Sequence, residues 1–380
     1  MKKTITLLLV AIIAISTVFA SGKNESAASS GQGTGKLRVG LIPLGDETTA
    51  SGRAQLLAQK TIAEAAGIEL VPVQLGGYDD ESFMTAYESM INQGVDAVLC
   101  FTLSETVLPL LKNLFEQNNV KFALFNRQVF DQKIKQDLFG SPMFIGNEHS
   151  EETQNAYDMV KWMHDTYSVK NMAVIGLTKG DINGDYRDSG IESACKDLGI
   201  NLLSETRGIS TTEDITKATE SLIASYPEMD SIFIVGGTVT TGALAGVNQS
   251  LVNHNLADKV RICMVDIATG MLQYMDNGPL KLVAGGNLIA DTMLSLVLAA
   301  NALHGTPLGE KPEMTVPMFW ITNSTDAGNY DTYIEGSIPP FSADYYKQNM
   351  FKWLNPQVTQ ESVQKIFTDY SIQSVMERNK

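Results

Sequence analysis

Four short apolar runs in this chain end abruptly in side chains that can recognise a polar molecule. Lys121 to Phe125 is followed by Asn126 and Arg127, Phe144 to Gly146 by Asn147 and Glu148, Met264-Val265 by Asp266, and Val283 to Gly286 by Asn287. Amides, a guanidinium fork and carboxylates donate and accept hydrogen bonds in fixed directions, which is the chemistry of capture rather than of bond breaking. Machinery for catalysis is not visible. No serine sits in a GxSxG elbow, and the four histidines show no HExxH and lie far apart. Gly236-Gly237-Thr238 and Gly285-Gly286 lack the spacing of a phosphate-binding loop. Asp181, Asn183, Asp185 and Glu192 approach a calcium-loop spacing. However, Tyr186 stands where that loop needs glycine and Arg187 brings a positive charge, so a loop leading into a helix is the stronger reading. No metal, no cofactor and no catalytic residue is expected.

The elements that must position those residues follow a regular rhythm. Strand-like runs at Leu37 to Pro43, Ile68 to Gln74, Ala97 to Phe101 and Lys121 to Phe125 alternate with helical periods at Gly52 to Ala66, Glu81 to Gln93 and Glu105 to Asn119. The rhythm restarts after Phe144-Ile145-Gly146. Strands are predicted at Met172 to Gly176, Asn201 to Glu205, Ser231 to Val235, Arg261 to Val265 and Lys281 to Gly285. Helices are predicted at Glu151 to Tyr167, Asp188 to Leu198, Thr212 to Tyr226, Thr240 to Asn255 and Asp291 to Leu303. Such alternation predicts an α/β protein, with two doubly wound parallel-sheet lobes and a hinge. Ligands bind such sheets outside the carboxyl ends of the strands, where the polar residues stand.

The ends of the chain read differently. Lys2 and Lys3, an apolar run from Ile5 to Ala14 and small residues through Ala20 have the order of a secretory signal peptide over 1–20, cleaved after Ala20. A run of about ten residues falls short of the roughly twenty a spanning helix needs. Residues 21–35 are small and polar, a tether without apolar period. Residues 36–147 with 287–314 are expected to form an N-terminal lobe, 148–286 with 315–345 a C-terminal lobe, and 346–380 a helical extension packed across the outside or the hinge. The net charge of −15 and pI of 4.7 exclude nucleic acid as partner, since phosphates require a basic face. The three cysteines, Cys100, Cys195 and Cys263, sit in apolar or helical contexts and predict buried thiols. A bond between Cys195 and Cys263 is the competing reading.

Several of these segments together resemble the type I periplasmic sugar-binding proteins, the ribose and galactose class that feeds ABC importers. Met90-Ile-Asn-Gln-Gly-Val-Asp-Ala-Val resembles that family's helix, turn and third strand, and Val120 to Arg127 its strand ending in Asn-Arg. Ile145-Gly146-Asn147-Glu148 is similar to its crossover, Arg187-Asp-Ser-Gly190-Ile191 to its Arg-x-x-Gly helix start, and Val265-Asp266 to its strand-end aspartate. The similarity runs from about Lys36 to Leu308, and order and spacing together make it specific where each motif alone is weak.

The resemblance implies a periplasmic, monomeric protein that closes on a sugar or similar polyol and presents it to an ABC transporter permease. A sensory subunit reporting to a chemoreceptor or kinase is the alternative on the same fold. It also implies ligand contacts from Asn126, Arg127, Arg187, Asp266 and Asn287. Competing readings place the two arginines at the surface and make Asp266 a helix N-cap. Asp46 is a further candidate acceptor, with Glu47 beside it; solvated loop carboxylates are the competing reading. Departures from the family pattern stand at Gly236-Gly237-Thr238, where Asn-Asp is usual, and at the loops 45–49 and 211–214, which lack the common aromatics. They leave the ligand's identity open. Tyr78, Phe101 and Tyr186 are the rings left for stacking.

Overall fold

Runs of apolar residues buried on both faces make the centre of each half. Ala97–Cys100 and Ser231–Ile234 have no exposed position, as expected of strands in a parallel sheet covered by helices on both sides. The computed structural model describes residues 35–43, 47–176, 180–209, 211–236, 240–268 and 270–378.

The first half runs β1 Leu37–Leu41, α1 Ala50–Ala66, β2 Ile68–Pro72, α2 Asp80–Asn92, β3 Ala97–Cys100, α3 Leu108–Asn118, β4 Lys121–Leu124, α4 Gln132–Gly140 and β5 Phe144–His149. The second runs α5 Glu152–Tyr167, β6 Asn171–Ile175, α6 Ile182–Leu198, β7 Asn201–Thr206, α7 Thr212–Ser225, β8 Ser231–Ile234, α8 Thr240–Asn253, β9 Arg261–Val265 and β10 Leu280–Gly285. The chain continues through α9 Asn287–Leu303, β11 Glu313–Thr315, β12 Phe319–Ile321, and α10 to α13 at Ser324–Tyr333, Ala343–Asn349, Gln360–Thr368 and Ile372–Arg378.

Two six-stranded sheets result, ordered β11-β5-β4-β3-β1-β2 and β12-β10-β9-β8-β6-β7. All pairings are parallel except β10 with β12. The strand order reverses beside β1 in one sheet and beside β6 in the other, which makes a crevice at the carboxyl ends of each. The architecture is the α/β pair of doubly wound sheets that the rhythm predicts.

The chain passes between the sheets three times: after His149, between Gly285 and Asn287, and between Thr315 and Phe319. Glu148 and His149 still pair with β11, so the first sheet reaches two residues beyond Asn147. At the second passage Gly286 has φ 76°, and a Cβ there would come within 2.6 Å of the Tyr330 ring, so only glycine fits. Helix α9 is buried along nearly its whole length against α1, β3, β4 and β5, as its apolar residues on every face require.

The C-terminal helices join both halves. Helix α11 packs on α1 and α13 on α10. Tyr346 donates to the Met293 sulfur at 2.9 Å. On α12, Gln364 donates to the Thr315 carbonyl at 2.9 Å and accepts from the Thr315 amide at 2.9 Å, covering the open edge of β11.

Three local expectations are corrected. Helix α4 has no predicted counterpart, because only Ile134, Leu138 and Phe139 mark its apolar side; Asp131 starts it by accepting from the amides of Lys133 and Ile134. Helix α6 begins at Ile182 rather than Asp188, since Asp181 accepts from the Gly184 amide at 2.9 Å and caps it. Residues 182–192 are therefore helix, which removes the calcium-loop geometry. Helix α9 begins at Asn287 rather than Asp291. Cys100, Cys195 and Cys263 are all buried free thiols.

Candidate functional site

The strand-end turn of β4 is held by its neighbour. Asn126 has φ 51°, a left-handed conformation that asparagine tolerates better than most side chains. Its amide donates to Glu148 Oε1 at 2.6 Å, the Arg127 amide donates to the Glu148 carbonyl at 3.0 Å, and Asn147 Nδ2 donates to the Arg127 carbonyl at 3.1 Å. β5 thus fixes the backbone that aims Arg127 inward.

Arg127 is 1% exposed. Its guanidinium lies 3.6 Å over the Phe101 ring, Nε bonds the Thr102 carbonyl, and Nη1 donates to the Asn126 carbonyl at 2.7 Å. Among the described residues it forms no ion pair. Burial pulls its pKa below the usual guanidinium range, against the attraction of Asp181, Tyr78 and Glu152.

Arg187, from α6, is equally deep but differently engaged. Its Nε and Nη2 donate to the two oxygens of Glu152 at 2.7 and 3.1 Å, and Nη1 donates to the Val235 carbonyl at 2.8 Å. The Asp266 carboxylate stands 4.0 Å from Nη1. Burial opposes this charge, but Glu152 and Asp266 outweigh it and hold the Arg187 pKa above its usual value. The fork-to-fork geometry is the strong form of an Arg–carboxylate pair.

The two halves meet around these arginines. Asn183 Nδ2 donates to Asn126 Oδ1 at 3.4 Å, and the Ile182 amide donates to the Leu103 carbonyl at 3.1 Å. At the rim the rings of Phe130 and Tyr186 stack with centroids 3.4 Å apart. Tyr78 is half exposed, lies edge-on to Phe83, and sits within the electrostatic reach of Arg127, Asp181, Asp266 and Arg187.

Asn126, Arg127, Arg187 and Asp266 are therefore brought together, and both arginines are buried rather than at the surface. Asp266 is not a helix N-cap. It takes φ 72° at the end of β9, and the next helical element is a short 3-10 turn, Met271–Tyr274, begun by Gly270. Asn287 is buried, but its Nδ2 donates to Asp291 Oδ2 at 2.9 Å within its own helix, and no hydrogen bond joins it to the arginines among the described residues. Asp46, Gly237 and Thr238 lie outside the described residues. Phe101 is occupied beneath Arg127 and Tyr186 by Phe130.

Sequence reasoning missed Glu152, which reads as an ordinary acid in a helix's first turn, and Asn183 with Asp181, which read as a failed calcium loop. A groove of about 980 Å³ lies along α1, β1 and β2, lined by Leu41, Gln55, Gln59, Lys60 and Ile68 among others. It contains none of the strand-end polar residues, so the convergence of side chains, not that volume, marks the site. Among the described residues no cluster of three or more His, Cys, Asp or Glu side chains is placed to hold a metal.

Two doubly wound sheets with polar side chains meeting at their strand ends define a two-lobe binding-protein fold. The chain belongs to the periplasmic binding protein domain family, which matches residues 56–301. Solved structures agree on the fold. An ABC transporter solute-binding protein from Actinobacillus succinogenes 130z with bound D-allose superposes with a TM-score of 0.66 at 16% identity, over 78% of this chain and 100% of that one. A glucose-galactose binding protein from Geobacillus stearothermophilus gives 0.65 at 12%, over 76% and 98%. A Bacillus halodurans C-125 solute-binding protein with bound myo-inositol gives 0.64 at 17%, over 79% and 99%. Comparison with curated proteins finds no match.

Proposed function

We propose that this protein is an extracytoplasmic solute-binding protein that captures a sugar or cyclic polyol between its lobes and hands it to an ABC importer. The observation that carries the reading is the convergence of Asn126 and Arg127 from one sheet with Asp181, Asn183, Arg187 and Asp266 from the other. Hydroxyl groups both donate and accept, so a ring bearing several of them satisfies amide, carboxylate and guanidinium partners at once. The Arg127 charge, which forms no ion pair among the described residues, is directed at that ligand, with Asp266 as a further acceptor. The solved relatives with bound D-allose and myo-inositol support this class.

Contacts drawn from both lobes are made together only when the lobes are closed, so ligand favours the closed form by its differential affinity. Micromolar affinity corresponds to about 8 kcal/mol, within reach of several charge-assisted bonds. The function is binding without turnover, by a monomer released across the membrane after cleavage at Ala20. Among the described residues no helix is long and apolar enough to cross a membrane.

A thermal-shift screen over pentoses, hexoses, inositols, nucleosides and amino acids tests the class, since a bound ligand raises the melting temperature by mass action. A sugar or inositol is expected to give the largest rise. Arg127→Ala and Arg187→Ala are expected to reduce it sharply; unchanged binding in both would refute the site.

A further inference from the structure

Beside the recognition turn lies a pair of carboxyls that ligand capture leaves unused. Glu148 stands one residue before the end of β5, where the chain leaves for the second sheet, and Asp291 lies in the first turns of α9, where it returns. Both are fully buried. Glu148 Oε1 accepts from the Asn126 amide at 2.6 Å and from Ser295 Oγ at 3.0 Å, while Asp291 Oδ2 accepts from Asn287 Nδ2. The other oxygens, Glu148 Oε2 and Asp291 Oδ1, have no donor among the described residues, and Asp291 stands one turn before Ser295 on the face of α9 that meets Glu148, with each carboxyl acting on the other.

Among the described residues no cation forms an ion pair with either carboxyl, and the charge of Arg127, which lowers the Glu148 pKa, is the weakest of the influences on it, after burial and the hydrogen bonds. Arg127 on the β4 turn has its guanidinium bonded to the carbonyls of Thr102 and Asn126. Glu152 at the start of α5 adds negative charge and is itself taken by Arg187. His149, next on β5, faces Glu313 and Lys135 on the other side of the strand. Toward α9, helix α1 presents the neutral Gln55, which donates to Thr292 Oγ1 at 2.8 Å. Two like charges cannot both persist unpaired at such a separation, and a buried oxygen without a partner is costly.

We propose that Glu148 and Asp291 share one proton, and that this carboxyl–carboxylate bond ties the first interlobe passage to the second and steadies the Asn126–Arg127 turn. One proton gives the pair a donor that the described residues do not otherwise supply. Burial acts in the same direction, raising the Glu148 pKa to about 7 and that of Asp291 well above its ordinary range; the pair titrates as a unit. Because the native pair keeps a proton that the unfolded side chains release near 4.5 and 3.8, its contribution to stability is full below those values. It is lost as pH rises through about 7, where Glu148 titrates, and beyond, where Asp291 does. Loss of the proton sets two charges against each other beneath the recognition turn.

The test uses the full mature chain without ligand. Infrared difference spectra at pH 6, wild type minus Asp291→Asn and wild type minus Glu148→Gln, are expected to show the carbonyl stretch of a protonated carboxylic acid in the wild type that both variants lack. Melting midpoints are expected to fall by several degrees between pH 5 and pH 8 in the wild type. They should shift far less in Asp291→Asn, whose amide donates the bond without a titrating proton. A wild type with no such band overturns the proposal even if neither variant folds. So does a band retained in Asp291→Asn, or an equal pH dependence in wild type and variant.

Discussion

Arg127 follows strand β4 in one half and Arg187 comes from helix α6 in the other; both are buried, and they are held in opposite ways. Arg187 is neutralised within its own half by both oxygens of Glu152 and oriented by the Val235 carbonyl. Arg127 is held by two backbone carbonyls and the face of Phe101, none of which carries a full negative charge. The difference shows two ways to fix a cation in a cleft. One side presents a finished ion pair; the other holds its charge on backbone dipoles and a ring face, the state that the proposed ligand contact needs.

The sharpest way to break that contrast is Glu152→Ala. It strands Arg187 in the interior, and loss of one member of a buried pair costs about 3–5 kcal/mol. Urea unfolding should show this fall in stability, and a fall no larger than that of a surface substitution would mean the pair is not a structural wall. Arg127→Leu should separate the two roles in the other direction. Ligand affinity falls by about 2–3 kcal/mol, roughly thirty- to 150-fold, as expected for a charged hydrogen-bonding group. Unfolding free energy drops less than in Glu152→Ala, because Arg127 has no ion-pair partner among the described residues to leave behind; calorimetric titration with the sugar found in the screen, beside urea unfolding, measures both. The smallest effect belongs to the rim. Tyr186→Ala removes the stack on Phe130, worth about 1 kcal/mol beyond its burial. It should increase the radius of gyration of the ligand-free protein in solution scattering while leaving urea stability nearly unchanged.

The legible parts of this molecule are those whose physics is local. Ala97–Cys100 and Ser231–Ile234 announce themselves because a strand buried on both faces must be apolar at every position. Asn126, Arg127 and Asp266 stand out because a polar residue after such a run falls at the sheet's carboxyl edge. Helix α4 is hidden because three apolar residues in a short run of lysines and polar neighbours carry too weak a period. Asp266 resembles a helix cap in sequence because nothing nearby reveals its left-handed backbone.

The chain alone determined the alternation of strands and helices, and so the two sheets and the edge at which recognition groups stand, because burial imposes a period readable along a few residues. Tertiary structure alone decided which of those groups is already spent. Arg187 meets Glu152 across 35 residues and Glu148 meets Ser295 across 147, whereas Asn287 turns back on Asp291 four residues away. A hydrogen bond depends on distance and direction in space, and no period along the chain records which distant partner will be there.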